Sequence, residues 1–481
     1  MLDRIKSLER AARPLQPDAA QRAELLQQVD GYAQQFLQGL AMAPAFVESE
    51  DKGRGLYAVP LSEEGVGIEK ALALLRAHVD TPGVNPASGR FLGYIPGGGL
   101  YYAALGDYLA AIANRYAGHF FASPGAVRLE NMLLDWMAGL VGYPATHGGN
   151  LTSGGSIANL VSVVTARDAA GIAAQEVPRA IVYLTEHTHH SVDKALRIAG
   201  LGQCILRRVA VDDCFRMQPH ILEKMIGEDK KAGLRPWLVV ASAGSTNTGS
   251  VDPLPELAQI GADHDLWFHV DGAYGGFFVL CDEGRRILQG MERSDSLVMD
   301  PHKTLFLPYG SGAVLVRDRD KMYASHHSTA DYMQDTLDAV EELSPADYSP
   351  ELTKHFRGLR LWLPLMVAGV APFRAALEEK LLLTRYFYET LREVDGFEVG
   401  PPPDLSVCVY RYLPRRGDPD AFNARLVEAL QRDGRIFVSS TTVDGRFVLR
   451  AAIGNFRTHL EHVERALKVL EETARQLEGT Q

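Results

Sequence analysis

The chain has 481 residues, 46% of them hydrophobic and 23% charged, the balance of a soluble globular protein with room for one large domain and appendages. A net charge of −11, from 60 acidic and 49 basic side chains, excludes a global basic field that would favour nucleic acid. Cys204, Cys214, Cys281 and Cys408 form no CxxC pair and are too few for a disulfide framework, so they read as reduced thiols of a cytoplasmic protein. Met1-Leu2-Asp3-Arg4 opens a charged helical pattern without a signal-peptide core, and no apolar run is long enough to span a bilayer.

Residues 1 to about 45 predict two helices with a break at Pro14 to Pro17; Leu25, Leu26, Val29, Tyr32 and Leu37 recur at helical spacing. The Gly/Pro-rich stretch from Asn85 to Arg90 and from Pro96 to Gly99 marks either a boundary or a ligand-facing turn. From there to about 370, short β-rich runs alternate with helical segments. The runs are Ala180–Leu184, Trp237–Ala241, Leu266–Val270, Leu297–Met299 and Ala313–Arg317, and their spacing predicts an α/β layer with a largely parallel sheet. Leu359 to about Val394 predicts long helices kinked near Pro364 and Pro372. After Pro401-Pro402-Pro403, strands are expected at Val407–Tyr412, Ile436–Ser439 and Phe447–Ala451. A final helix is expected over about 457–476, striped by Leu460, Val463, Leu467 and Leu470. Residues from about 370 onward read as a smaller α+β domain.

The strongest chemical signal is Asp271, at the end of Phe268-His269-Val270-Asp271-Gly272-Ala273, followed 32 residues later by Lys303 in Asp300-Pro301-His302-Lys303-Thr304. Pyridoxal phosphate (PLP) chemistry needs such a pair: an amine to form a Schiff base and a carboxylate to keep the pyridine nitrogen protonated. At about 4 Å and an effective dielectric near 20, the carboxylate is worth roughly 4 kcal/mol, enough to hold the ring cationic at neutral pH. Upstream, Gly148-Gly149-Asn150-Leu151-Thr152-Ser153-Gly154-Gly155-Ser156 precedes a helical run from Ile157 to Ala170. It suits an anion at a helix N-terminus, although an ordinary Gly-rich turn with a Ser cap has the same composition. It is neither a GxxxxGK[ST] loop nor a GxGxxG fingerprint, which disfavours a nucleotide.

Thr185-Glu186-His187-Thr188-His189-His190-Ser191 follows a predicted strand and can lay an imidazole on a planar cofactor. Clustered histidines also suit a metal, but HExxH spacing and a nearby Cys partner are lacking. Ala243-Gly244-Ser245-Thr246-Asn247-Thr248-Gly249 is a polar loop at the end of another predicted strand, where α/β folds bind ligands; a plain β-turn cluster is the alternative. Each element alone is ordinary. Their order in one α/β segment is the argument.

The chain resembles the group II PLP-dependent amino-acid decarboxylases, which include aromatic L-amino-acid and glutamate decarboxylases. The resemblance is carried by Thr152 to Asn159, Glu186 to Ser191, His269 to Tyr274 and Asp300 to Lys303, with support from Ala122-Ser123-Pro124 through Trp136 and from His355 to Trp362. It covers about residue 85 to the C-terminus. It implies a type I, aspartate-aminotransferase-like fold: an N-terminal helical segment (1–85) packing on a partner subunit, a large PLP-binding domain (86–370) and a small C-terminal domain (371–481). It also implies a homodimer with active sites at the interface, and neither nucleic acid, membrane nor metal as partner.

By position, the resemblance makes Lys303 the Schiff-base lysine and Asp271 the pyridinium partner. Ala273 and His189 take the two ring faces, Gly155 and Ser156 the phosphate, and Thr246 and His302 become polar neighbours of the cofactor. Tyr332, in Ser328-Thr329-Ala330-Asp331-Tyr332-Met333-Gln334, matches a catalytic-loop tyrosine that returns a proton after carbon dioxide leaves. Related aldehyde synthases carry an apolar residue there, so Tyr332 favours an amine product. Gly93-Tyr94-Ile95-Pro96-Gly97 matches a substrate-pocket loop. Tyr94 and Ile95 with Phe120 and Phe121 suggest an aromatic amino acid, and Lys354 stands where the family often has a carboxylate-binding arginine. Gly97, in place of a small hydroxyl residue, and Lys354, which offers no bidentate fork, depart from the aromatic pattern. Glutamate, diaminobutyrate or another aliphatic substrate therefore stays open.

Overall fold

The computed structural model describes residues 1–95, 97–328 and 342–479. A seven-stranded sheet is built from β1 (Gly148–Thr152), β2 (Ala180–Leu184), β3 (Ile205–Arg208), β4 (Arg235–Ser242), β5 (Trp267–Asp271), β6 (Ser296–Met299) and β7 (Gly312–Val316). The strands lie in the order β1-β7-β6-β5-β4-β2-β3. β7 is antiparallel to both of its neighbours, and the other pairings are parallel. The inner strands are near-continuous apolar runs, as a sheet covered on both faces requires. Along β4, Val239 and Ala241 pack into one core and Leu238 and Val240 into the other, the period-two alternation of a strand between two helical layers.

This topology aims the chemistry. β1 opposes β7 and β7 opposes β6, so β1 runs in the same direction as β2, β4, β5 and β6. The loops that follow these five strands leave one edge of the sheet, where α/β folds collect ligands. β1 corrects the reading of residues 148–152 as part of a Gly-rich loop. The run Gly-Gly-Asn-Leu-Thr has little β-propensity, yet it pairs with β7 along its whole length. A Cβ at Gly149 would meet the carbonyl oxygen of Val314 at 2.7 Å, so the close approach itself selects glycine. β3, also not anticipated, is an edge strand whose exposed Leu206 and Arg208 hide the apolar pattern.

The second sheet contains Phe397–Val399, Val407–Tyr412, Arg446–Ala452 and Phe437–Val443 in antiparallel array. Phe91–Leu92 adds to it in parallel beside Phe437 and Val438. Helices Ala371–Arg392, Pro419–Asp433 and Leu460–Gly479 pack against this sheet through Phe387, Leu391, Phe422, Leu426, Val463 and Leu470. The expected kinks resolve into one break. Helix Gly358–Ala368 keeps Pro364 inside it, and helix Ala371–Arg392 leaves at 94° with Pro372 in its first turn. Among the described residues no single helix is long and apolar enough to cross a membrane; this bent pair passes that test together by length and composition.

Lys354, expected at the substrate, is instead part of the scaffold. Its side chain is fully buried and its ammonium lies 2.7 Å from Glu130 Oε2, donating also to Asn150 Oδ1 at 2.8 Å. Glu130 Oε1 accepts from the Gly358 N–H at 3.0 Å. The pair thus ties helix Pro124–Val141 to β1 and to the start of helix Gly358–Ala368. Breaking a buried pair strands a charge without compensation, at a cost of about 3–5 kcal/mol. Lys354→Met is expected to destabilise the protein by about that amount in urea unfolding, and Glu130→Leu/Lys354→Met to recover most of the loss.

Candidate active site

The loops leaving the carboxyl edge enclose a cavity of about 250 Å³. Its lining includes Gly155 and Ser156 after β1, His189 after β2, Thr246 after β4, Asp271 and Ala273 at β5, and His302 and Lys303 after β6. Each group is positioned by its local fold. Gly155 and Ser156 open helix Gly155–Ala169, and their N–H groups precede its first hydrogen bonds, which Ile157 and Ala158 make to the Gly154 carbonyl. Lys303 sits in the single turn Pro301–Thr304, with Pro301 at its first position. The N–H of His302 donates to the Ser311 carbonyl at 3.2 Å, and its Nδ1 lies 2.5 Å from the same oxygen. The Thr246 loop is pinned by Arg450 of the second sheet, whose guanidinium donates to the carbonyls of Thr246 at 2.7 Å and Asn247 at 3.2 Å.

Asp271 is 8% exposed. Its Oδ1 accepts from the Ala273 N–H at 3.1 Å, and its Oδ2 accepts from Asn159 Nδ2 at 3.0 Å. Lys303 Nζ lies 3.0 Å from Asp300 Oδ2. The other oxygen of Asp300 is buried and has no hydrogen-bond partner among the described residues. Burial holds His189, His302 and His269 below the ordinary imidazole range, His269 at about 4. Burial thus favours the neutral form of all three imidazoles.

The cavity brings together Gly155, Ser156, His189, Thr246, Asp271, Ala273, His302 and Lys303. Tyr94, Ile95, Phe120 and Lys354 are not among its lining residues. Tyr94 sits at φ +52° and 60% exposed, its N–H donating to Ser439 Oγ at 3.3 Å. Ile95 packs against the main core. Phe120 is buried under the guanidinium of Arg128, whereas Phe121 is 58% exposed. Tyr332 lies outside the described residues. Gly97, one of the departures from the aromatic pattern, backs onto the lysine turn: a Cβ there would stand 2.3 Å from the His302 carbonyl oxygen and 3.0 Å from that of Lys303. A hydroxyl residue does not fit at that contact.

Asn159, Ser191, His269 and Asp300 were not singled out as site residues, although each lies in or beside a motif. Asn159 had a legible signal. It is three and four residues beyond Ser156 and Gly155, on the same face of one helix, in an otherwise apolar run.

Residues 75–413 match the family model described as the pyridoxal-dependent decarboxylase conserved domain. The chain is 34% identical over 391 residues to an aromatic-L-amino-acid decarboxylase of Bacillus atrophaeus, covering 80% of each. It is 28% identical over 422 residues to a phenylacetaldehyde synthase of Arabidopsis thaliana, covering 85% of this chain and 86% of that one. A crystal structure of Oryza sativa TDC with PLP and tryptamine superposes with a TM-score of 0.90 at 29% identity, over 96% of this chain and 99% of that one. The chain belongs to the pyridoxal-dependent decarboxylase family and is a PLP-dependent amino-acid decarboxylase of the type I fold.

The residues present fit that cofactor. A helix N-terminus, the buried carboxylate that ends β5 and the Lys303 amine all line one cavity. Room is kept by a missing side chain, since a Cβ at Gly155 would lie 2.9 Å from Asp300 Oδ2 and 3.2 Å from the Ala273 methyl. Gly155→Ala is therefore expected to weaken PLP binding about tenfold or more, as overpacking a filled site costs roughly 1–3 kcal/mol. Absorbance titration of the cofactor-free protein checks it; unchanged affinity would remove Gly155 from the cradle.

Proposed function

We propose that this decarboxylase acts on an aromatic L-amino acid, releasing the amine and carbon dioxide, and that it works as a homodimer in the cytoplasm. The observation that carries the reading is the convergence of Lys303, Asp271 and His189 on one cavity, in a chain similar to an aromatic-L-amino-acid decarboxylase. Pyridoxal phosphate, when bound, supplies the electron sink for the bond to the substrate carboxyl. Lys303 Nζ would be its attachment point, Asp271 would pair with the ring nitrogen, the His189 imidazole and the Ala273 methyl would pack on its ring, and Gly155 and Ser156 would hold the phosphate. Thr246 and His302 are polar neighbours that fix orientation. Tyr332 returns a proton to the substrate carbon after carbon dioxide departs. These groups contribute mainly orientation and electrostatics.

The dimer reading rests on apolar surface left open by one chain. Helix Tyr101–Ala113 exposes Tyr101, Tyr102, Leu105, Tyr108, Leu109 and Ile112. Helix Leu2–Ala12 buries none of its residues. Such contiguous apolar faces mark contact with another chain. Under this reading residues 1–85 pack on the partner, and Tyr94, Ile95 and Phe120 belong to a substrate pocket completed by the second subunit. Lys354 has no part in it, because its ammonium is taken by Glu130. Similarity to a phenylacetaldehyde synthase supports a second reading, aldehyde formation on the same scaffold. A tyrosine at position 332 favours the amine.

The purified protein is expected to be yellow, and Lys303→Ala to abolish the colour; a colourless wild-type protein unresponsive to added PLP would overturn the cofactor assignment. Incubation with a panel of L-amino acids and product identification by mass spectrometry is expected to give amines from aromatic substrates. Tyr332→Phe should shift the product towards aldehyde; undiminished amine output would exclude Tyr332 from protonation.

A further inference from the structure

Behind the cavity, seven polar groups form a hydrogen-bonded chain whose direction is fixed by the Asp271 carboxylate and by the Ser191 N–H. At one end, Trp267 Nε1 can only donate, and it reaches Ser296 Oγ at 2.8 Å. Ser296 Oγ lies 2.8 Å from His269 Nδ1, and a hydroxyl that accepts from the indole can still either donate to Nδ1 or accept from it. His269 Nε2 lies 2.8 Å from Asn159 Oδ1. In the middle, the Asp271 carboxylate can only accept. The amide nitrogen of Asn159 must therefore face Asp271 Oδ2, at 3.0 Å, and its oxygen must face His269. Nε2 therefore donates to Asn159 Oδ1, and His269, neutral under burial, accepts the Ser296 hydroxyl proton at Nδ1.

The chain continues to the cofactor's other side. Asn159 Nδ2 also donates to Ser191 Oγ at 3.0 Å. Ser191 Oγ is 2.7 Å from His189 Nδ1, and the Ser191 N–H reaches the same nitrogen at 3.3 Å. A backbone N–H is only a donor, so His189 Nδ1 is an acceptor, receiving from both the N–H and the hydroxyl. Asn159, Ser191 and His269 are nearly inaccessible to solvent, at 1%, 3% and 1% exposure.

Resting on the PLP reading above, we infer that Asn159 is a positioning residue that couples Asp271 to His189, orienting the carboxylate with one amide proton and holding His189, through Ser191, as the neutral tautomer protonated on Nε2. The ring nitrogen left free to face the cofactor or substrate is then a proton donor. Asn159 touches neither; it acts through the two residues that do.

The test is the tautomer of His189 in ¹⁵N-histidine-labelled protein, with and without PLP. The chain has 15 histidines, so its resonances are assigned by difference against His189→Gln. The expected wild-type spectrum has an unprotonated Nδ1 and a protonated Nε2. Ser191→Ala should yield a mixture of tautomers and Ser191→Thr should restore the single form. Asn159→Asp replaces the donor by an acceptor and turns the Ser191 hydroxyl towards itself; with only the 3.3 Å backbone N–H left on Nδ1, it should yield a mixture of tautomers. If that variant does not fold, the Ser191 pair alone decides. Asn159→Leu, which leaves Asp271 Oδ2 without its donor, should weaken PLP binding about tenfold. A wild-type spectrum with protonated Nδ1, a tautomer indifferent to Ser191→Ala, or unaltered PLP affinity in Asn159→Leu would each overturn the proposal. Failure of the wild-type protein to bind PLP would instead overturn the cofactor reading, and leaves the tautomer result standing.

Discussion

A carboxylate taken out of water at the end of a buried strand must be met by donors, or it will not stay charged. Asp271 meets this condition twice, through the Ala273 N–H and the Asn159 amide. The first contact requires the chain to turn sharply after β5, and that turn sets Ala273 at the cavity wall. The second requires helix Gly155–Ala169 to lie across the sheet with Asn159 facing inward. The same helix places its N-terminus, with Gly155 and Ser156, on the cavity wall. One requirement, satisfying a buried carboxylate, thus relates Asp271 to that helix N-terminus.

The second sheet is not a passive appendage to this arrangement. Arg450 is almost wholly enclosed, and burial depresses its guanidinium to about 10. Its donors are met by the backbone carbonyls of Thr246 and Asn247 and by Ser439 Oγ. Carbonyls rather than a carboxylate receive it, so the contact fixes the path of the loop after β4. Tyr274, three residues beyond Asp271, reaches Ser406 in the same way. Ser439, which accepts from Arg450, also accepts from the Tyr94 N–H. The second sheet therefore holds both the loop after β4 at the cavity wall and Tyr94, three residues before the Gly97 that backs onto the lysine turn.

Much of this was legible in the sequence because reactive residue types stood at strand ends. Asp271, Lys303 and His189 follow apolar runs whose direction a parallel sheet makes common, so position along the chain translated into position in space. β2 and β4 to β7 were readable for the same reason: burial on both faces writes itself as continuous hydrophobicity. β1 was not, since its selection is for absence of side chains beside Val314, and glycine reads as a turn. Lys354 was misplaced because motif register says nothing about burial. Its partner Glu130 lies on a helix far earlier in the chain, and pairing between them is a property of the folded protein. Asn159 illustrates the remaining limit, since its bond to Asp271 spans 112 residues.

The charge balance of the cavity explains why the phosphate end is built from glycine and a helix terminus. Among the described lining residues the acids are Asp271 and Asp300, the cation is Lys303, and the histidines are neutral. Lys303 is engaged by Asp300 at 3.0 Å and, in the proposed role of Schiff-base amine, would not be a permanent counter-ion for a phosphate. Stabilisation of that anion falls to oriented N–H groups and hydroxyls, which act only at close range and from fixed directions. Close range is what a side chain at Gly155 would deny, and fixed direction is what the helix beginning there supplies. A site using arginine for its anion tolerates looser packing around it. In the proposed arrangement dipoles would hold the anion and close backbone approach would be a condition of binding; Asp300, an acid, lies within the reach that Gly155 leaves open.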